Sequence, residues 1–387
     1  MKVLVVAGEA SADLHAYHVL QEFQKIHPLE LMGIGGENLI GLGMRPIATA
    51  SDMAVVGLAE AIQKIPQTFQ LLKQLESMAA EQRPRFALLL DLPDFNLRLA
   101  PRLKKLGIPV IYYISPQVWA WRAKRVHLMA SCIDLLLTIL PFEKLWYEKN
   151  APHSLPVQYV GHPAIAEIST EPFAPEENHI VLMPGSRESE WRALFGDIIQ
   201  AADILYHENQ QIRFTLPLAQ TLRNSALVKE YLSETGPYGE CIKDLKNVLS
   251  VFSGPAHQPL RRAKVAIVAS GTATLETAIV GTPMVVVYRV KPTSAFLFKY
   301  FIRYTGPISI VNLIHGGLGT NQRIVPEVLQ NDLNPTTLAE TVRALVKGAD
   351  WETQKQELAK TRALLSGAGD PIQNVCRALE DFLRGQA

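Results

Sequence analysis

Ala269-Ser270-Gly271-Thr272-Ala273-Thr274-Leu275-Glu276 follows the apolar run Val265–Val268 directly. A strand that runs through small hydroxyl residues into a helix presents free backbone N–H groups and the positive end of the helix dipole. Such a terminus favours an anion by about 0.3–1 kcal/mol before hydrogen bonds are counted. Ser270, Gly271, Thr272 and Ala273 are therefore candidate phosphate contacts. Glu276, about one turn further on, has the reach to accept from two ribose hydroxyls, although an ordinary capped helix with a solvent-facing glutamate fits the same letters. A second loop at a strand end is Met183-Pro184-Gly185-Ser186-Arg187. Gly185 lets backbone approach closely and Arg187 can donate in a planar fork to phosphate oxygens. A loop arginine is more often a solvated charge, yet two such loops in one half of the chain point to a diphosphate.

Carboxylates mark the other half. Asp91 follows the most hydrophobic run, Phe86–Leu90, and is expected at the carboxyl end of that strand, where burial can tune a general base. Asp94, ahead of Phe95 and Asn96, reads as a helix N-cap. Gly8-Glu9-Ala10-Ser11-Ala12-Asp13 reads either as a turn capped by Ser11 or as polar contacts to a sugar. Gly33-Ile34-Gly35-Gly36-Glu37-Asn38 nearly matches the dinucleotide fingerprint, but Asn38 stands at the third glycine and no acidic residue follows at the right spacing. There is no P-loop motif, and no His, Asp or Cys set has metal-ligand spacing, so neither a cofactor nor a metal is expected.

The elements that must position these residues alternate along the chain. Val3–Val6, Phe86–Leu90, Val110–Tyr113 and Leu135–Ile139 read as strands apolar on both faces. The rhythm restarts at Ile180–Met183 and runs through Arg213–Leu216, Val248–Phe252, Val265–Val268 and Met284–Val287. Helix patterns such as Ser11–Gln24 and Phe95–Leu106 lie between them. Strands buried on both faces and separated by helices make parallel sheets. The reading is α/β, two Rossmann-like doubly wound domains with the carboxyl ends of their strands on a shared cleft.

A chain of 387 residues is long for one core, and the stretch from Gly161 to Glu177 has the composition of a linker. The first domain is placed at 1–165 and the second at 166–369, with a last helix over about 370–387 able to return to the first. That terminal segment, Trp351–Arg384, is helical with a break near Gly367, Gly369 and Pro371. Basic and acidic residues number 38 and 37, so no overall field recruits nucleic acid. Cys132, Cys241 and Cys376 show no paired spacing, which argues for a reducing compartment. The apolar start is too short for a signal peptide and no run is long enough to span a bilayer, so export and membrane spanning are not expected. Val55, Leu58, Ile62, Ile65, Phe69 and Leu72 form a helical stripe expected to pack on the core. Trp119, Trp121, Arg122, Lys124, Arg125 and His127, like Phe296–Tyr304, mix aromatics with cations as a membrane interface or a plain snorkelling surface does.

These segments together resemble the lipid-A-disaccharide synthases over nearly the whole chain. The resemblance is carried by AGEASAD (7–13), DLPDFN (91–96), YYISPQVWAWRAKRV (112–126), LPFEK (140–144), VGHP (160–163), LMPGSRESE (182–190), ASGTATLE (269–276) and PMVVVYRVKP (283–292). It implies a GT-B fold, with the acceptor on the first domain and the UDP-sugar on the second. It further implies an inverting, metal-independent transfer from UDP-2,3-diacylglucosamine to 2,3-diacylglucosamine 1-phosphate through a β-1,6 bond. Asp91 then maps to the base, Arg187 and the 270–276 segment to the donor site, and Asn312 to a nucleotide contact. Glu9, Ser11 and Asn96 fall on the acceptor side. Peripheral attachment to the cytoplasmic face of the inner membrane is implied, and a homodimer is left open.

Two departures bear on this. Ala12 stands at the family's glycine and is expected to tighten its turn, and the stretch after Asn312 is longer and richer in glycine than the family's, so no contacts are carried over to 315–323. Other readings of the same residues are a GT-B soluble-acceptor transferase or 2-epimerase, a silent sugar-nucleotide or lipid binder, and a Rossmann oxidoreductase.

Overall fold

The computed structural model describes residues 1–49, 65–168, 171–172, 174–289 and 306–385. They form two compact units, one of Met1–Ala166 with Leu365–Ala387 and one of Glu167–Leu364. In the first, β1 (Lys2–Ala7), β2 (Glu30–Gly35), β3 (Arg45–Thr49), β4 (Phe86–Leu90), β5 (Val110–Tyr113), β6 (Leu135–Thr138) and β7 (Val157–Tyr159) make one parallel sheet in the order β3-β2-β1-β4-β5-β6-β7. In the second, β8 (Glu176–Met183), β9 (Arg213–Pro217), β10 (Leu249–Phe252), β11 (Ala263–Ala269), β12 (Met284–Tyr288) and β13 (Glu327–Leu329) repeat the pattern in the order β10-β9-β8-β11-β12-β13. Both are doubly wound, as the alternation of runs predicts.

Central strands are apolar on both faces because helices cover both sides; every residue of β4 and of β11 is buried. The strand order reverses between β1 and β4 in one sheet and between β8 and β11 in the other. A crevice opens at such a switch point beyond the carboxyl ends of the strands. Gly8–Glu9 and Asp91 end the first pair, and Pro184–Gly185 and Ser270–Gly271 end the second. Topology thus delivers all four chemically suggestive segments to two sheet edges.

The last helix, Pro371–Gly385, belongs to the first unit, where it packs on the helix Ala10–Gln24. Its buried Asn374 donates from Nδ2 to the Val160 carbonyl at 3.0 Å, and Gln373 donates to Glu22. Three expectations change locally. The helix Ala10–Gln24 begins before Ser11, which is exposed and caps nothing, and Ala12 sits buried inside regular helix with no turn to tighten. Asp94 is the second residue of the helix Pro93–Lys105, with Leu92 in the capping position. Of the apolar stripe, Leu72 is buried but Phe69 is exposed beneath the Arg98 guanidinium. Val55, Leu58, Ile62 and Phe296–Tyr304 lie outside the described residues. The three cysteines are free thiols, and among the described residues no helix is long and apolar enough to cross a membrane.

Candidate active site

In the second unit a cavity of about 580 Å³ opens at the carboxyl ends of the strands, lined by Gly185, Ser186, Arg187, Ser270, Gly271, Thr272, Ala273 and Glu276 among others. Ser270 still pairs as strand, its N–H donating to the Val287 carbonyl at 2.9 Å. The helix Thr272–Val280 then starts, and among the described residues no protein group accepts from the N–H groups of Gly271, Thr272 or Ala273. Nothing lies within 4 Å of where a Gly271 Cβ would stand, so ligand atoms can approach this backbone. Thr274 faces inward instead, returning its hydroxyl to the Gly271 carbonyl at 2.7 Å and closing the turn.

The loop after β8 is built differently. Glu190 fills its concavity, accepting from the Ser186 N–H at 2.7 Å and the Arg187 N–H at 3.2 Å. Gly185 has φ +119°, and a Cβ there would stand 2.2 Å from Glu190 Oε2. An internal carboxylate thus caps this helix, leaving the Arg187 guanidinium, three-quarters exposed at the rim, as the loop's cation. Arg223, which no motif pointed to, adds a second cation to the lining, held by donation to the Ser253 carbonyl at 2.6 Å. It lies beyond the end of β9, and the rule that ligands gather at strand carboxyl ends would have found it. Glu276 is partly buried; burial lifts its carboxyl above the ordinary range, partly offset by donation from the His257 backbone.

Asn312 stands apart from this lining. It is fully buried in the helix Ile310–Gly316, donating to the Val325 carbonyl at 3.0 Å and to Glu327 at 2.8 Å, and accepting from the Ile324 and Val325 N–H groups. Its side chain closes the glycine-rich excursion over residues 317–323 and is spent doing so. The fold also gathers Asp203, His207 and Asp244, which spacing alone did not show. The imidazole pairs with both carboxylates at the surface, and none of the three lines the cavity.

In the first unit the switch point holds a strained carboxylate. Asp91 and Leu92 both adopt left-handed backbone, φ +48° and +43°, and Ile114 at the end of β5 does so too. Such residues cost about 1–3 kcal/mol each and persist where their surroundings over-determine them. Here Asn96, fully buried, donates to the carbonyls of Leu90 at 3.0 Å and Asp91 at 2.8 Å, while the Tyr112 hydroxyl donates to the same Asp91 carbonyl. The Asp91 carboxylate is half-buried and takes one hydrogen bond from the Leu92 backbone N–H. Burial raises its pKa above the usual carboxylate value, and the negative charge of Glu9 adds to this. Asp94 behaves oppositely: against the effect of burial, Arg125 at 2.7 Å and Arg122 at 2.8 Å hold its carboxyl below the usual range. Asn96 is thus a support for Asp91, and Glu9 is exposed beside it.

The near-dinucleotide loop is already occupied. Buried Asp13 accepts from the N–H groups of Gly36 at 2.6 Å and Asn38 at 3.1 Å, so a protein carboxylate sits where a phosphate would. Of the three glycine loops at 36–38, 185–187 and 271–273, the last therefore has amides left over.

A family model described as lipid-A-disaccharide synthetase matches residues 3–375. The chain belongs to the lipid-A-disaccharide synthase family. The lipid-A-disaccharide synthase of Anaeromyxobacter dehalogenans is 39% identical, the match covering 96% of this chain and 95% of that one. The enzyme of the same name from Myxococcus xanthus is 35% identical over 95% and 94% of the two chains. As a member of the family the chain is a glycosyltransferase of lipid A disaccharide formation. Among solved structures, a UDP-GlcNAc 2-epimerase from Neisseria meningitidis bound to UDP-GlcNAc superposes with a TM-score of 0.56 at 14% identity, covering all of both chains. A calicheamicin glycosyltransferase gives 0.60 at 13% identity, over 99% of this chain and 98% of that one. At these identities the likeness is one of fold, that of the GT-B enzymes.

Within the lipid-A-disaccharide synthase family frame, the SPQVWAWR segment also finds its place. Trp119 Nε1 donates inward to buried Glu143 at 3.1 Å, whereas Arg122 and Arg125 pair with Asp94 at the surface.

Proposed function

We propose that the chain joins a UDP-2,3-diacylglucosamine donor to 2,3-diacylglucosamine 1-phosphate through a β-1,6 bond, with inversion at the anomeric carbon. The observation that carries the donor assignment is the set of unclaimed N–H groups at 271–273, facing a cavity that also holds Arg187 and Arg223. The diphosphate lies against those amides and Glu276 takes the ribose hydroxyls. As the bond from the anomeric carbon to the diphosphate oxygen breaks, negative charge grows on departing UDP. Fixed backbone dipoles meet that charge without rearranging, and the exposed guanidinium of Arg187 adds positive charge at the rim.

On the acceptor, the 6-hydroxyl oxygen attacks the anomeric carbon and its proton passes to Asp91. A carboxylate whose basicity is raised by burial suits that task better than an ordinary one. Glu9 and Ser11 flank it as acceptor contacts. The lipid substrates place the protein peripherally on the membrane that contains them.

The test is to incubate the protein with UDP-2,3-diacylglucosamine, with and without the 1-phosphate acceptor and with EDTA, and to follow UDP and disaccharide. Acceptor-dependent, EDTA-resistant product is expected. UDP release that ignores the acceptor, or product lost with EDTA, overturns the reading.

A further inference from the structure

The carboxylate of Glu143 is one of the most deeply buried charged groups in the first unit, 1% exposed, and no ion pair among the described residues includes it. Its partners are all donors: the N–H groups of Ile139 at 3.2 Å and Leu140 at 3.1 Å on one oxygen, and the indole N–H of Trp119 at 3.1 Å on the other. The first two explain its place as a cap on the helix Pro141–Asn150. The third does not. A buried carboxylate without a cation is costly, and a cap alone could be made by an exposed one.

The third bond reaches into the segment that follows β5. That strand is registered beside β4, Leu90 against Tyr113, so the segment leaves the sheet edge next to Asp91. The same helix grips it at two further points. The Tyr147 hydroxyl donates to the Pro116 carbonyl at 3.0 Å and meets the Ser115 hydroxyl at 2.7 Å, and the Phe142 ring lies edge-on to Trp119 at 5.0 Å. Pro116 and Trp119 are thus held from behind, and between them Gln117 is exposed. The far end is clamped by Asp94 on Arg122 and Arg125, but at the surface, where such pairs contribute little.

We propose that Glu143 is a positioning residue of the acceptor side: through Trp119 it fixes the turn at Gln117, which contacts the acceptor sugar beside Asp91. The inference rests on the reading of Asp91 as the base. A carboxylate is required because donors occupy both oxygens; an amide offers an acceptor to one side and presents N–H to N–H on the other. The ionisable groups facing Glu143 are Tyr147 of its own helix and Tyr159 of β7, both hydroxyls kept neutral by burial, first of all, and by Glu143 itself.

Glu143→Gln and Trp119→Phe are the variants to compare, the second removing the donor while keeping a ring against Phe142. Steady-state kinetics are measured with 2,3-diacylglucosamine 1-phosphate in detergent micelles, and UDP affinity by calorimetry. Each variant should raise the acceptor KM by about tenfold with kcat reduced less, leave UDP affinity unchanged, and show no further rise when combined. An unchanged acceptor KM in Trp119→Phe, or additive losses in the double variant, overturns the proposal. Should Glu143→Gln fail to fold, Trp119→Phe carries the test alone. If the wild-type protein makes no disaccharide, the reading of the reaction fails. The link is still read from Trp119 fluorescence, taken as wild type minus Trp119→Phe, which should change as pH is lowered past the point where Glu143 takes a proton and should not change in Glu143→Gln.

Discussion

At the scale of single residues, three carboxylates with the same chemistry have been given different work by their surroundings. Asp13 and Glu190 accept from several backbone N–H groups and cap helices, while Asp91 sits half-buried on a strained turn with its basicity raised by burial and by Glu9. Asp91→Asn keeps the shape and removes the base, so turnover should fall by about 10²–10⁴-fold with UDP affinity intact, measured by product formation and calorimetry. Equal loss of both would mean a structural role. Because burial raises this pKa, activity should climb as pH rises through it and then level off. Glu143 gives a stability counterpart. Burial pushes its carboxyl from 4.5 to about 7, so its contribution is fully present below the unfolded value and is lost as pH rises through the folded one. The difference of about 2.5 units corresponds to about 3 kcal/mol. Denaturant unfolding should show wild type losing about that much relative to Glu143→Gln between about pH 4 and pH 8. A difference flat with pH would sink the assignment.

At the scale of elements, two glycine loops at neighbouring strand ends are set apart by what fills them. Glu190 occupies the space beside Gly185, whereas the space beside Gly271 is open. Gly185→Ala should therefore act on the fold, lowering stability by about 1–3 kcal/mol through clash and left-handed strain, as read by thermal unfolding. Gly271→Ala meets no neighbour but shares the unfavourable backbone, φ +157°, so it should cost less stability than Gly185→Ala and in addition lower UDP affinity by about tenfold or more, because its methyl stands on the cavity side of the free amides. Reversed effects would exchange the roles of the two loops. The loops themselves were legible in the letters, since buried parallel strands are continuous apolar runs and their ends are abrupt. The short edge strands β3, β7 and β13 were not, because one side of each lacks a partner and their composition carries no such run. Nor were the long-range bonds of two capping carboxylates: Asp13 accepts from Gly36 across 23 positions and Glu143 from Trp119 across 24, separations at which no local pattern operates. The same blindness hid that Asn312 is consumed by its own chain, its partners lying 12 to 15 residues further along.

At the scale of the whole molecule, each unit has its own apolar core and its own sheet. The first is completed by the far end of the chain, whose helix Pro371–Gly385 buries Val375, Cys376, Ala378 and Leu379 and satisfies the Val160 carbonyl through Asn374. Two cores of this kind need not melt together, and a single two-state transition is not the expectation. UDP binds, in the reading above, through residues of the second unit, so its stabilisation should fall there: about 2.7 kcal/mol at a hundredfold excess over Kd, by mass action alone. Calorimetric scans with and without UDP should show two transitions, of which one moves. Asn374→Ala, which strips the partner from a buried carbonyl at a cost of about 1–3 kcal/mol, should move the other and leave the UDP shift unchanged. If UDP and Asn374→Ala displace the same transition, then either the units unfold as one or the nucleotide is held by the first, and Gly271→Ala tells these apart by whether UDP affinity falls.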